Sequence, residues 1–476
     1  MQLTALISLL VLFVQLLGVL NAAHAVMNVR SSQSAIAWSI ALITFPWVAM
    51  PLYWILGRTR FRGYPEAIRR ASAEYQAKLP YIRQNLEPYI QPLPPSVKSL
   101  KRLISNLARV PFTSHNQAQL LVNGEATFAA LLAAIETAQT YILFQFYIIK
   151  DDDIGRELMA ALIAKAQQGV RVYLSYDEIG SHQLKRSTLQ RLRQSGIEVT
   201  AFRSTRGIRN RFQLNFRNHR KIVVVDGRIG FVGGLNVGDE YLGRDRRFGY
   251  WRDTHLSLQG PAVQCLQISF LQDWYWATRT IPEVNWQVTP APDAAESLLV
   301  LPSGPADPFQ TCTLFFNSAF QLAQRRLWIA SPYFVPDETT LATLKMAALR
   351  GVDVRIMLPA HPDHQIVYLC SFSYYKELKQ AGIQIYRFRK GFMHQKVVLV
   401  DDLLAGVGTT NLDNRSFHLN FEVMAFALQG PLLAEVEAML LNDFENSDQV
   451  DLGEYDRRSL GFRLAVRAAR LMAPLQ

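Results

Sequence analysis

Cysteine is nearly missing from this chain, with three in 476 residues: Cys265, Cys312 and Cys370. They are too few and too scattered for a disulfide framework, and none shows the short spacing of a metal site. Charge is missing from the first 29 residues, where there is no Asp, Glu, Lys or Arg. A secretory signal opens on basic side chains ahead of its apolar run. Their absence argues against one here, although Ala23-His24-Ala25 has the form of a cleavage site. Acidic residues are also in deficit, 39 against 50 basic ones, for a net charge of +11. That balance suits an anionic partner, either a phospholipid surface or nucleic acid, and by itself does not choose between them.

Two apolar stretches, Leu3 to Val26 and Ser34 to Gly57, are each near or above the roughly 20 residues that cross a bilayer core. They predict a transmembrane hairpin within residues 1–60. Arg30 alone separates the stretches, whereas Arg58, Arg60, Arg62, Arg69 and Arg70 follow the second. The positive-inside rule then places the N-terminus and the soluble part on the cytoplasmic side, in a multi-pass protein of the inner (cytoplasmic) membrane. Residues 61–116 are charged and mixed, with helical periodicity interrupted at Pro80, Pro88 and Pro92 to Pro95. This reads as a linker or membrane-proximal helical segment.

A repeat follows, residues 117–290 and 291–476. Each half runs through a helix, a strand, a helix, a Gly-Val-x-Val segment (Gly169 to Val172; Gly351 to Val354), a helix ending in Gly, and a β-rich run (Ile197 to Phe202; Ile383 to Phe388). Alternating helix and strand predicts two α/β lobes, mixed sheets flanked by helices, related by pseudo-twofold symmetry. The last helix carries Arg463, Arg467 and Arg470 on one stripe and Leu464, Ala468, Leu471 and Met472 on another. It fits a lipid surface or ordinary packing on the second lobe. The run Arg203 to Arg211 is a solvated loop or a phosphate-attracting one, and Asp151-Asp152-Asp153 is a solvated turn.

What the repeat carries is chemistry. His219-Arg-Lys221-Ile-Val-Val-Val-Asp226 returns as His394-Gln-Lys396-Val-Val-Leu-Val-Asp401, and Asn236 and Asn411 each lie fifteen positions beyond the Lys. Residues i and i+2 of a strand share a face, so each His sits beside its Lys. A nucleophile or proton carrier next to a fixed positive charge suits a phosphodiester, whose oxygens Lys and an Asn amide can hold. Asp226 and Asp401 complete the motif and are counted with its catalytic set; strand alternation puts them on the opposite face, where they read as anchors of the next turn. Each half offers one further carboxylate to orient its own imidazole, Asp253 at 34 residues beyond His219 and Glu422 at 28 beyond His394. Lys is not a usual metal ligand, so neither a metal nor another cofactor is expected.

Asn215 to Ile222 with Gly233-Gly-Leu-Asn236, and Met393 to Lys396 with Gly408 to Phe417, resemble the two signature motifs of the phospholipase D superfamily. Within it the chain is most similar to bacterial cardiolipin synthases, over nearly its whole length, including Ser331 to Pro336 and Ala469 to Leu475. The resemblance implies phosphatidyl transfer between two phosphatidylglycerol molecules, through a covalent phosphatidyl-histidine on His219, with His394 as general acid and then base. Lys221, Lys396, Asn236 and Asn411 would hold the phosphate. Membrane-bound hydrolysis or head-group exchange uses the same residues and remains an alternative, as do a nuclease and an inactive lipid-binding protein. The membrane hairpin favours lipid over nucleic acid as partner.

Overall fold

The computed structural model describes residues 2–29, 31–57, 60–74, 76, 79–107, 110–202, 205, 213–291, 294 and 296–476. Arg30, Arg58 and every arginine of the run Arg203 to Arg211 lie outside the described residues. Helix α1 (Gln2–Asn28) has 27 residues and is about 40 Å long, enough to cross a bilayer core. All its leucines but the half-buried Leu17 are exposed, and no other described helix is both long and apolar enough. The second apolar stretch is not one unbroken helix. It forms α2 (Ser32–Thr44) and α3 (Pro46–Leu56), broken at Phe45, because a residue before proline is kept out of the helical region and Pro46 supplies no N–H. Both pieces fold back on α1 through Gly18, Ala22 and Ala25; a Cβ on Gly18 would strike the Leu42 carbonyl.

The stretch read as a linker or membrane-proximal helical segment forms packed helices. Helices α4 (Tyr64–Glu74), α5 (Leu79–Leu86) and α6 (Lys98–Leu107) bury Tyr64, Ile82, Leu100 and Ile104 against the catalytic lobes. Phe61 joins an aromatic cluster with Phe202, Phe216, Trp276 and Phe421, which ties the membrane end of the chain to both lobes.

The first lobe contains β1 (Thr113–Val122), β2 (Tyr141–Phe146), β3 (Arg171–Asp177), β4 (Glu198–Phe202), β5 (Arg217–Asn218), β6 (Ile222–Val225), β7 (Ile229–Gly233), β8 (Trp251–Arg252) and β9 (Thr254–Gln259). The second contains β10 (Glu296–Ser303), β11 (Arg326–Ala330), β12 (Phe334–Val335), β13 (Asp353–Pro359), β14 (Gln384–Phe388), β15 (Phe392–Met393), β16 (Val397–Val400), β17 (Leu404–Gly408), β18 (Leu412–Asp413), β19 (Asn420–Leu428) and β20 (Ser447–Gln449). Strand order is β1-β9-β7-β6-β2-β3-β4 in one lobe and β10-β19-β17-β16-β11-β13-β14 in the other. The orders match position by position, so the lobes are copies. Antiparallel pairing of β1 with β10 joins them edge to edge into one mixed sheet.

Helices α7 (Asn123–Thr137), α8 (Asp153–Gln167) and α9 (Arg186–Gln194) cover one face of the first half-sheet, and α10 (Ala262–Thr278) covers the other. In the second lobe α11 (Thr311–Gln321), α12 (Glu338–Leu349), α13 (Gln365–Phe372) and α14 (Tyr375–Ala381) lie outside; α15 (Asn414–His418) caps the cleft side and α16 (Pro431–Glu445) mirrors α10. The C-terminal helix Leu460–Arg470 packs on the second lobe through Val466 and Ala469, and Arg470 donates to the Ser373 carbonyl. Leu464 and Leu471 stay exposed.

Candidate active site

The two His-x-Lys segments run into β6 and β16. Each of these strands is flanked on both edges, β6 by β2 and β7, β16 by β11 and β17, and covered on both faces, which explains their unbroken apolar runs. His219, Lys221, His394 and Lys396 are all buried at the strand mouths. The residue between each pair faces the other way. Arg220 forms a buried ion pair with Asp273 of α10 at 2.9 Å, and Asp273 also accepts from the Tyr64 hydroxyl (2.6 Å), Gln145 (2.8 Å) and Asn218 (2.8 Å). Gln395 donates to Asp443 of α16 at 2.8 Å, which holds the Arg252 guanidinium at 2.7 and 2.8 Å. These anchors were missed from sequence. Their trace is a repeated Gln-Gly-Pro, 259–261 and 429–431, with the Asp twelve residues beyond each Pro.

Asp226 and Asp401 do not belong with the reacting groups. Both sit at the far ends of β6 and β16, in the left-handed region (φ 53° and 49°). Asp226 accepts from the N–H groups of Gln139, Thr140 and Tyr141, and Asp401 from those of Gln324, Arg325 and Arg326, at 2.8–2.9 Å. They anchor the turn and fasten the helix-to-strand junction beside it, so counting them with the catalytic set is corrected and their reading as turn anchors stands.

The two carboxylates expected to orient the imidazoles do contact them, but exchanged between lobes. His219 Nδ1 donates to Glu422 at 2.8 Å, and His394 Nδ1 donates to Asp253 at 2.9 Å. The assignment of each carboxylate to its own half is therefore corrected. Two short parallel pairings explain the exchange. β5, ending at Asn218, lies beside β19 with Asn218 opposite Phe421; β15, ending at Met393, lies beside β8 with Met393 opposite Arg252. One residue further along each pair, His219 meets Glu422 and His394 meets Asp253. The main chain locks this register, since the His219 N–H donates to the Phe421 carbonyl (2.9 Å) and the His394 N–H to that of Arg252 (2.8 Å).

The two carboxylates are held differently. Glu422 also accepts from the Thr409 hydroxyl (2.6 Å) and Asn420 (3.1 Å). Asp253 accepts its own Thr254 N–H at 2.8 Å, and Gly234, at the position equivalent to Thr409, leaves it room: a Cβ there would collide with Asp253 Oδ1. Tyr147 packs edge-on against His219 at 5.0 Å; Trp251 (5.3 Å) and Tyr333 (6.5 Å) flank His394.

Burial dominates the electrostatics. It pushes both imidazoles down to about 4; Lys221 adds to the fall for His219 and Lys396 for His394, while Glu422 and Asp253 oppose it. Both rings are neutral at pH 7. Burial opposes ionisation of Glu422 and Asp253 as well, yet the adjacent His and Lys hold both below their ordinary values. Both lysines are depressed by burial, Lys396 to about 8. Lys396 acts on His219 and Lys221 as well as on His394, so the two sets form one electrostatic unit.

The asparagines differ. Asn236 is already engaged, accepting the Ile148 N–H at 3.1 Å and donating to the Tyr241 hydroxyl at 3.0 Å. Asn411 is buried with its side-chain oxygen unpartnered. Among the described residues no group of three or more His, Cys, Asp or Glu side chains could hold a metal ion.

Two copies of one α/β lobe, meeting so that each supplies a carboxylate to the other's histidine, define a phosphatidyltransferase of the phospholipase D type. Comparison with known proteins narrows this. A family profile described as "Cardiolipin synthase, PLD-like domain" matches residues 131–270 and 317–444. Cardiolipin synthase A of Pseudomonas fluorescens (strain SBW25) is 46% identical over 465 residues, 96% of each chain, and that of Pseudomonas putida is 46% identical over 468 residues, 97% of this chain and 96% of the relative. The solved phosphatidylserine synthase of Haemophilus influenzae Rd KW20 has a TM-score of 0.58 at 14% identity, covering 80% of this chain and all of that one; it shares the fold. The chain belongs to the cardiolipin synthase family of phospholipase D-like proteins.

Proposed function

We propose that this protein condenses two phosphatidylglycerol molecules into cardiolipin and glycerol at a membrane surface. The observation that carries the reading is the crossed pairing: each imidazole has Nδ1 against a carboxylate, so that Nε2 is the nitrogen left to act, with Lys396 3.2 Å from it at His394. Neutral His219 attacks phosphorus through Nε2 as the bond to the glycerol oxygen breaks, and His394 gives that oxygen its proton. The resulting phosphatidyl-histidine is then attacked by the glycerol hydroxyl of a second phosphatidylglycerol, whose proton returns to His394 as the phosphorus–nitrogen bond breaks. His394 must be protonated for the first step. A bound phosphodiester offsets Lys396 and favours that proton, so the acid forms with substrate in place. Lys221, Lys396 and Asn411 hold the phosphate oxygens; Asn236 joins them by exchanging its Tyr241 contact for the ligand. The electrostatic work falls to side chains of the protein and calls for no metal.

Helix α1 anchors the lobes at the bilayer. The arginines after the second apolar stretch support placing the N-terminus and both lobes on the cytoplasmic side of the inner membrane, with α2 and α3 returning the chain to that side. Full-length enzyme in micelles of phosphatidylglycerol alone should yield cardiolipin and glycerol in equal amounts by mass spectrometry. Phosphatidic acid as the sole lipid product would make it a hydrolase, and no lipid product at all would leave a binding protein.

A further inference from the structure

Arg217 and Arg415 are two half-buried cations beside the reacting groups that form no ion pair among the described residues. Arg217 lies two residues before His219 in the segment paired with β19; Arg415 lies in α15, four residues beyond Asn411. The Arg415 guanidinium reaches across to the first lobe and donates to the Asn215 side-chain oxygen (3.0 Å) and carbonyl (2.7 Å), and to the Leu475 carbonyl (3.2 Å). Arg217 donates to the Phe216 carbonyl at 2.6 Å. All of these acceptors are neutral. Among the described residues neither arginine forms an ion pair, whereas Arg220, Arg252, Arg326 and Arg387 each have one. The adjoining stretch Phe202 to Lys221 contains no Asp or Glu that could serve.

The two charges act on each other and on the site. Burial and then Arg217 lower the Arg415 pKa, and Tyr147, whose ring rests on His219, is influenced by both guanidinium groups. Asp177 and Asp413 act on these arginines through space but form no ion pair with them, and main-chain N–H groups hold both carboxylates in place. Asp177 accepts the N–H groups of Ile179, Gly180 and Asn218 at 3.0 Å, Asp413 accepts that of Ser416 at 2.6 Å, and Glu422 holds His219. Around the imidazoles Lys221 and Lys396 are balanced by Glu422 and Asp253. Arg217 and Arg415 keep guanidinium donors that no carboxylate among the described residues takes up in an ion pair, and the reaction brings together two phosphodiesters of one negative charge each.

We propose that Arg217 and Arg415, one from each lobe, hold the phosphate of the second, acceptor lipid and so select an anionic phospholipid over an uncharged alcohol as the group that receives the phosphatidyl unit. This rests on the phosphatidyl-transfer reading above. A guanidinium presents paired N–H donors to phosphate oxygens, and two of them fix both the position of the phosphate and the reach of its glycerol hydroxyl.

The test is a competition between acceptors. Full-length wild type, Arg217→Gln, Arg415→Gln and Arg415→Lys are given fluorescent phosphatidylglycerol as donor with unlabelled phosphatidylglycerol and ethanol together, and the ratio of cardiolipin to phosphatidylethanol is read. Each Gln variant should lower that ratio about tenfold or more, and the Lys variant less. An unchanged ratio overturns the proposal, whether both products fall together, as for arginines that serve the reacting phosphate or the fold, or neither falls. Arg217→Gln keeps the test open if Arg415→Gln does not fold. Wild type that makes neither product would instead remove the transfer reading itself.

Discussion

Replacing the two buried carboxylates by amides should have unequal effects, although Asp253 and Glu422 are equivalent in the repeat. In Asp253→Asn the oxygen must stay at Oδ1, because the Thr254 N–H 2.8 Å away can only donate. The amide nitrogen then faces His394 Nδ1 and drives the ring to carry its proton on Nε2 in the neutral state, where it cannot take one from the acceptor hydroxyl. A wrong-tautomer change of this kind lowers turnover by roughly 10⁴, or about 5.5 kcal/mol. In Glu422→Gln the oxygen can keep the Oε2 position, where it still accepts from His219 Nδ1 at 2.8 Å and from the Thr409 hydroxyl at 2.6 Å. The nitrogen then takes the Oε1 position and faces Asn420, whose amide turns over to offer its unpartnered oxygen. The tautomer survives and only the charge is lost, which weakens the hydrogen bond to a positively charged ring by roughly 1–2 kcal/mol, or about 5- to 30-fold. Steady-state cardiolipin formation measures both variants, and NMR of ¹⁵N-imidazole-labelled enzyme reads the tautomers. Asp253→Asn should alter His394 and leave His219 unchanged. Equal kinetic losses, or a tautomer change at His219 in Asp253→Asn, would refute the crossed assignment.

Enzyme incubated with donor labelled in its phosphate and denatured in alkali should carry label on the His219 peptide; label confined to the His394 peptide would exchange the two roles. Arg220→Met removes one partner of a buried ion pair and leaves Asp273 uncompensated, so the unfolding free energy should fall by about 3–5 kcal/mol, read by denaturant titration. His219 and His394 titrate near 4 when folded and near 6.5 when unfolded, so the unfolded chain binds more protons between those values. Stability is therefore full above about pH 6.5 and decreases toward pH 4, by roughly 3 kcal/mol per imidazole; thermal melts across that range check it, and His→Gln at either site should flatten the slope. Excess chelator should leave activity intact in well-dispersed lipid, and restoration of a dead, demetallated sample by one equivalent of a divalent ion would count against the electrostatic roles of Lys221 and Lys396.

Much of the site was legible in the chain because its logic is local. A His and a Lys two residues apart on an apolar strand share a face wherever that strand lies, and duplication with Asn236 and Asn411 in register identified two such sets. The turn role of Asp226 and Asp401 followed from the same alternation. The order of helices and strands in each half was readable for the same reason, since periodicity reports the near neighbourhood of each residue. Pro46 also stood in plain view inside the second apolar stretch. Hydropathy alone merged what proline geometry divides at Phe45.

Only the tertiary structure decided which carboxylate serves which histidine. Sequence distance favoured Asp253 for His219 and Glu422 for His394, but the parallel pairings of β5 with β19 and of β15 with β8 join segments about 140 to 200 residues apart and reverse that choice. The same contacts place Arg415 over Asn215 and leave Arg217 and Arg415, whose charges reach Tyr147, without an ion pair among the described residues. Side-chain periodicity records which face of an element is buried. It contains no information on which lobe that face meets, because burial is equally satisfied by either partner, and the choice depends on how two equivalent surfaces pack against each other.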